Sequence, residues 1–193
     1  GGLARFDGAR FEVMDIASQP GLASNRITSM VADGPDAAWF VTQEGHLGHL
    51  EAGRVRTILV PATPMPDAIG LVVASGRFYC QTAQGDIWTS DGTTPWRLLM
   101  RVPPAGPGSV EALANTRVGQ GWASFGGALV PLTPEAGAVA RRLPLETQGI
   151  TGGTGRDLWV GLARGVGHVT DQGFTVLDIR PALQEATNVI LHV

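Results

Sequence analysis

GLASNRITSMVADGPDAAWFVTQEGHLGHLEAGRVRTI, residues 21–58, contains one complete copy of a unit that recurs along the chain. It opens on a turn from Gly21 to Asn25, runs through apolar Ile27, Met30 and Val31, and breaks at Asp33, Gly34 and Pro35. The spacing predicts a strand over Ala38–Thr42 with Trp39, Phe40 and Val41 as its core, then a tight turn at Gly45. Two further short strands follow over Leu47–Leu50 and Val55–Leu59, separated by Ala52-Gly53. Short apolar runs rich in β-branched and aromatic residues, punctuated by Gly, Pro and Asp, pair as antiparallel strands joined by tight turns.

The unit repeats outward from this copy. Residues 1–30 and 164–193 superimpose without a gap at an offset of 163, with identities at Gly2/Gly165, Phe11/Phe174, Asp15/Asp178, Asn25/Asn188 and Ile27/Ile190. A quarter of that offset is 40.75 residues, within the roughly 40–45 of a four-stranded propeller blade. Second strands carry an aromatic at Trp39, Tyr79, Trp122 and Trp159, and a turn glycine follows at Gly45, Gly85, Gly127 and Gly165. Third strands are anchored at Leu3, Leu47, Ile87, Leu129 and Val166. The expected fold is all-β: a β-propeller segment of four-stranded antiparallel blades, with four full repeats and two part-blades, an excerpt of a larger ring.

The expected blades span residues 1–16 (partial), 21–60, 66–101, 108–144, 147–180 and 186–193 (partial). A lone blade cannot cover both of its faces, so neighbours stack face to face and the Trp39 series fills the space between them. The two ends duplicate third, fourth and first strands instead of complementing one another, which is why a larger ring is expected. Unpaired strand edges in such a segment favour self-association.

Composition narrows the function classes. A chain with 27 Gly and 13 Pro spread between short apolar runs is not helical, because Gly weakens and Pro breaks helix interiors. A net charge of -3 offers no cationic field for a phosphate backbone, so no nucleic-acid partner is expected. The longest apolar run, near Ile69–Ala74, falls far short of the roughly 18 residues a membrane helix needs, so any membrane attachment would come through segments outside this chain. Cys80 is the single cysteine, which excludes an internal disulfide.

The motifs that carry chemistry elsewhere read here as structure. Thr89-Ser90-Asp91-Gly92-Thr93-Thr94-Pro95-Trp96 has the Asp and Trp spacing of an Asp-box, a turn whose carboxylate accepts backbone N–H bonds while the aromatic tucks into the blade. His46, His49, His168 and His192 lack the neighbouring ligands of a metal site, and His49 and His168 occupy the strand position of Arg5. Gly152-Gly153-Thr154-Gly155 lacks the Lys-Ser/Thr of a phosphate loop and reads as the turn into Asp157-Leu158-Trp159. Asn25 and Asn188 are expected to bond their own backbone at turns. Glu111, Glu135 and Glu146 lie singly, without a paired acid. No catalytic, metal-binding or cofactor-binding residue is therefore assigned, no cofactor is expected, and the ligand-binding residues are not identifiable.

The run GLASNRITSMVADG followed by AAWFVTQEGHLGHL, and GGLARFDGARF at the start, resemble the two-component regulator propeller repeat. Leu22, Ser24, Asn25, Asp33, Trp39 and Thr42 match that pattern in one copy, Leu158, Trp159 and Gly161 in another, and Gly1, Gly2, Leu3, Arg5 and Phe6 in a third. Ala23, Ala38 and Val41 depart from it, as do the second and third repeats. The resemblance implies a periplasmic sensor segment of a bacterial signalling protein, taking a small molecule or oligosaccharide at loops on one face of the ring. Kinase or cyclase output would lie outside this chain, which is not expected to be an enzyme itself. The alternatives are a protein-interaction scaffold and a sialidase-like or lyase-like propeller enzyme.

Overall fold

The computed structural model describes residues 1–6, 8–62, 65, 67–101, 110–116, 119–125, 128–133, 140–143, 147–162 and 165–177. These residues form strands and turns, with no helix among them. Leu3–Phe6 (β1) and Phe11–Met14 (β2) make a two-stranded sheet. Four four-stranded sheets follow in chain order. The first contains Ile27–Ala32 (β3), Ala37–Thr42 (β4), Leu47–Glu51 (β5) and Arg54–Leu59 (β6). The second contains Ala68–Ala74 (β7), Arg77–Thr82 (β8), Ile87–Ser90 (β9) and Arg97–Met100 (β10). The third contains Val110–Asn115 (β11), Gly121–Phe125 (β12), Ala128–Pro131 (β13) and Arg141–Arg142 (β14). The last contains Thr147–Gly152 (β15), Leu158–Leu162 (β16), Gly165–Thr170 (β17) and Gly173–Leu177 (β18).

Each sheet is an antiparallel meander, the arrangement of a propeller blade, so the all-β propeller fold expected from the repeat is the one observed. In the blade expected over 108–144 the fourth strand is Arg141–Arg142 among the described residues, and the part-blade at 186–193 lies outside them. The chain divides into two compact units, residues 1–110 and 111–193.

A turn of one design recurs at three places. In Thr42-Gln43-Glu44-Gly45-His46 the Thr42 N–H donates to the His46 carbonyl at 3.0 Å and the Gly45 N–H to the Thr42 carbonyl at 2.9 Å. Thr82 to Asp86 repeats these bonds at 3.0 and 2.8 Å, and Thr116 to Gln120 at 2.9 and 2.9 Å. The glycine stands at φ +86° in Gly45, +85° in Gly85 and +84° in Gly119, a conformation that favours a residue without Cβ. The threonines are buried, and the hydroxyls of Thr42 and Thr116 accept the N–H of His46 and Gln120 at 3.2 Å. Two of these turns join second to third strands; the last joins β11 to β12 at the opposite end of its sheet.

A bulge also recurs. The pairing of first with second strands slips between Ile27 and Ser29, between Ala68 and Gly70, and between Thr147 and Gly149. One extra residue at the same place in three sheets bends the first strand alike each time.

The cores lie between sheets. Alternation along β4 sends Val41 and Trp39 toward β7–β10 and Phe40 toward β1–β2. Val41, Leu47, Leu71, Phe78, Cys80 and Trp96 pack on one side, and Leu3, Met14, Leu22, Phe40 and Val55 on the other. In residues 111–193, Trp122, Leu129 and Leu143 of one sheet meet Leu158, Val160 and Val169 of the next. Tyr79 and Trp122 are buried, whereas Trp39 and Trp159 are half-buried with one ring face taken by a histidine. Trp39 also meets Phe78 of the neighbouring sheet edge-on, with centroids 4.7 Å apart. Each side chain of Leu or Phe size that is fully covered in this way contributes about 1.5–3 kcal/mol.

Candidate functional site

A hairpin meander places its first-to-second and third-to-fourth turns at one end of the sheet and its second-to-third turn at the other. Both clefts described here open at the first kind of end, between adjacent sheets. In residues 111–193 the cleft is lined by Gln120, Trp122, Leu129 and Arg141 from one sheet and by Arg156, Leu158, Val169, Thr170 and Asp171 from the next. Its cavity is about 30 Å³, and its mouth is open to water. In residues 1–110 the corresponding position lies between β1–β2 and β3–β6 and is lined by Arg5, Pro35, Asp36, Ala37, Ala38, Leu50 and Gly53.

An arginine spans each cleft. Arg5 Nη2 donates to Asp36 Oδ1 at 3.4 Å, joining β1 to the β3–β4 turn. Arg141 of β14 donates through Nη1 to the Thr170 carbonyl and through Nη2 to Asp171 Oδ1 at 3.4 Å, joining it to the β17–β18 turn. The floor of the second cleft is apolar, with Leu129, Leu158 and Val169 buried, and the Thr116 to Gln120 turn sets Gln120 at its edge. Trp122 is 6% exposed, and its indole N–H has no acceptor among the described residues.

Beside each cleft the same side-chain constellation occurs. His49 stacks on Trp39 at 4.0 Å and its Nε2 lies 2.9 Å from Asp33 Oδ2. His168 stacks on Trp159 at 4.1 Å and its Nε2 lies 2.9 Å from Asp157 Oδ2. The bond from His168, followed by the Gly155 N–H, holds the Asp157 carboxyl below its usual range against a small opposing effect of burial. The glycine run 152–155 forms the turn expected: Gly153 N–H donates to the Asp157 carbonyl at 2.9 Å. Gly152 lies so close to β11 that a Cβ would come 1.8 Å from the Asn115 carbonyl oxygen.

The Asp-box stretch forms the turn between β9 and β10. Asp91 Oδ1 accepts the N–H of Thr93 at 2.9 Å and of Thr94 at 2.8 Å, and both threonine hydroxyls at 2.9 Å. The Thr94 and Thr93 N–H groups, then the hydroxyls, pull the Asp91 carboxyl far below its usual range. Trp96 is buried and donates from Nε1 to the Gly45 carbonyl at 2.8 Å. This turn is structural.

Asn25 corrects an expectation. Its Oδ1 accepts the N–H of Ile16 at 2.9 Å, nine residues away, and its carbonyl accepts the Gly2 N–H at 2.8 Å. It ties the approach of β1–β2 to the start of β3 instead of bonding its own backbone; Asn188 lies outside the described residues. His46 bonds Thr42 Oγ1 through Nδ1 at 3.1 Å within its turn, and His192 lies outside the described residues. At the other end of the first full sheet, partial burial raises the Glu44 carboxyl, and its own backbone N–H, the Thr42 and Ser24 hydroxyls and His46 together outweigh it, leaving the group lowered. Glu135 and Glu146 also lie outside the described residues. Among the described residues no group of three or more His, Cys, Asp or Glu converges as metal ligands would.

Scans against protein-family models and curated proteins find no match. Solved structures are similar in fold. A streptogramin B lyase matches at a TM-score of 0.61 and 18% identity over 80% of this chain and 55% of that one. YCF48 bound to a D1 peptide matches at 0.58 and 15% over 89% and 58%. The extracellular domain of a protein described as a hybrid two component system from B. thetaiotaomicron matches at 0.59 and 16%, over 87% of this chain and 24% of that one. The chain thus spans a little over half the length of the first two and about a quarter of the last. These similarities support the propeller fold.

Proposed function

We propose that this chain is a ligand-sensing segment of a β-propeller receptor in a bacterial signalling protein, exposed on the outer side of the inner membrane, with its output module elsewhere in the protein. The observation that carries this reading is the recurrence of a cleft at the same end of the sheets in both units, each crossed by an arginine from the preceding sheet. A ligand that replaces such a cross-sheet bond changes how two blades are held, and a state that binds it better gains population. The extracellular domain of the hybrid two component system among the similar structures is similar in fold, and the repeat pattern at Leu22 to Thr42 points the same way. Binding is favoured over hydrolysis because Asp171 is held by Arg141 and no second carboxylate lines the cleft among the described residues.

A thermal-shift screen of the 193-residue chain against oligosaccharides and small metabolites tests the reading. A hit whose stabilisation is reduced by Arg141→Gln or Arg5→Gln supports it; a panel without hits, or hits insensitive to both substitutions, overturns it.

A scaffold role is the second reading, favoured by one surface. Phe6 and Phe11 pack at 4.8 Å on the outer side of β1–β2 while 56% and 71% exposed, with Val13 beside them. Light scattering across a concentration series distinguishes them: a monomer at every concentration removes self-association through that face.

A further inference from the structure

We infer that the cleft between β11–β14 and β15–β18 binds the carboxylate group of a small organic acid, with Arg156 as its principal partner. The inference rests on the reading of this end of the sheets as the ligand-facing one and names the chemistry it would recognise.

Charge selects the ligand. Among the described residues two guanidiniums, Arg141 and Arg156, and one carboxylate, Asp171, line the cleft, an excess of one positive charge. Arg141 is committed to Thr170 and Asp171. Arg156 stands exposed at the mouth and makes no ion pair among the described residues. The neighbouring carboxylate, Asp157, is turned to His168 and to the Gly155 N–H and makes no ion pair with Arg156. One unspent guanidinium matches a monoanion, and its planar fork fits a carboxylate through two parallel N–H bonds.

Donor chemistry agrees. The Trp122 indole is a donor only, and its N–H lacks an acceptor among the described residues although the ring is almost wholly buried. A buried donor without a partner is costly, and Trp122 lines this cleft, so an oxygen that reached its N–H there would remove that cost. Buried Leu129 and Leu158 floor the cleft and give the first carbons of the acid an apolar surface. The cavity itself is about 30 Å³, room on the order of two waters or the two oxygens of a carboxylate, with the rest of the acid extending outward through the mouth.

The test uses the ¹⁵N-labelled 193-residue chain titrated with sodium acetate at constant ionic strength, chloride being the replaced anion. The readout is the indole N–H resonance of Trp122, assigned by its loss in Trp122→Phe. The expected result is a saturable shift that Arg156→Gln weakens at least ten-fold, that Arg156→Lys weakens less, and that Arg97→Gln leaves unchanged. No saturable shift, a shift reproduced by chloride, or a shift indifferent to Arg156→Gln overturns the inference. If acetate fails while the thermal-shift screen yields a hit sensitive to Arg141→Gln or Arg5→Gln, only the carboxylate assignment falls; if both fail, the ligand-sensing reading falls with it.

Discussion

His168 and Asp157 face one another at 2.9 Å, with the imidazole lying flat on Trp159, and the same relationship holds between His49 and Asp33 over Trp39. The two carboxylates do not occupy equivalent positions. Counting back from the tryptophan, Asp33 is six residues away and Asp157 two, so one enters from the start of the turn and the other from its end. What the fold demands is an acceptor at the imidazole edge, and two different turns supply it. An imidazole pressed on an indole has few orientations left, and the carboxylate fixes the remaining one.

That relationship sets an acid limb. The folded-state pKa of Asp157 is depressed, chiefly by His168, so its contribution to stability is present above the unfolded carboxylate pKa of about 3.9 and is lost as pH falls through the lower folded value. Removing His168 should remove most of that contribution. Urea midpoints of wild type and His168→Ala, followed from neutral pH downward, should differ most above about pH 4 and converge below it. A gap that is constant or widens in acid contradicts the assignment.

Trp96 locks two sheets together through a bond 51 residues long in sequence, from its indole N–H to the Gly45 carbonyl. Trp96→Phe keeps an aromatic ring in the pocket and deletes the donor. The expected loss is about 1–2 kcal/mol, the net value of a buried bond plus the unpaired carbonyl left behind. Urea denaturation checks it, and a loss near zero would show that water replaces the indole.

Gly48 lies under the ring of Phe40 on the adjacent strand, where a Cβ would come 2.1 Å from Cζ. Gly48→Ala therefore forces the ring aside and should cost about 1–3 kcal/mol by overpacking. Phe40→Leu, made alone, loses contacts with Leu3 and Met14. Combined with Gly48→Ala it should cost less than the sum of the two, because the shorter side chain vacates the space the methyl needs. Strict additivity in a double-mutant cycle would refute the steric account.

Strands and turns were legible in the sequence because their determinants are local. Gly45 and Gly85 close the same five-residue turn wherever Thr precedes them by three, and Leu3, Leu47, Ile87 and Leu129 are buried where the spacing put them. The Asp91 turn was readable for the same reason, since its donors lie two and three residues away. The cleft was not. Arg141 reaches a turn 29 residues on, across a sheet boundary, and nothing near Arg141 or Asp171 marks the pair. The histidines look like ordinary repeat positions in the sequence because their partners fall at unequal offsets. The role of Asn25 is hidden for a related reason: its partner Ile16 belongs to the preceding strand's exit and not to its own turn.

Cys80 offers a probe of how the sheets open. It is fully buried between β3–β6 and β7–β10, and burial pushes its thiol up to about 12. Alkylation requires the thiolate, so in the folded chain at pH 8 neither access nor ionisation permits reaction. Labelling by iodoacetamide should proceed only through opening of this interface, and its rate should rise with urea in proportion to the open population when reclosing is fast. Trp96→Phe, which removes a bond across the same interface, should accelerate labelling in the absence of urea, whereas Gly149→Ala, where an added Cβ meets open space, should accelerate it far less. Modification of the native chain at the rate of a free thiol, independent of urea, would mean that the sheets part without unfolding and that the packing of Val41, Leu71 and Phe78 around Cys80 does not hold them.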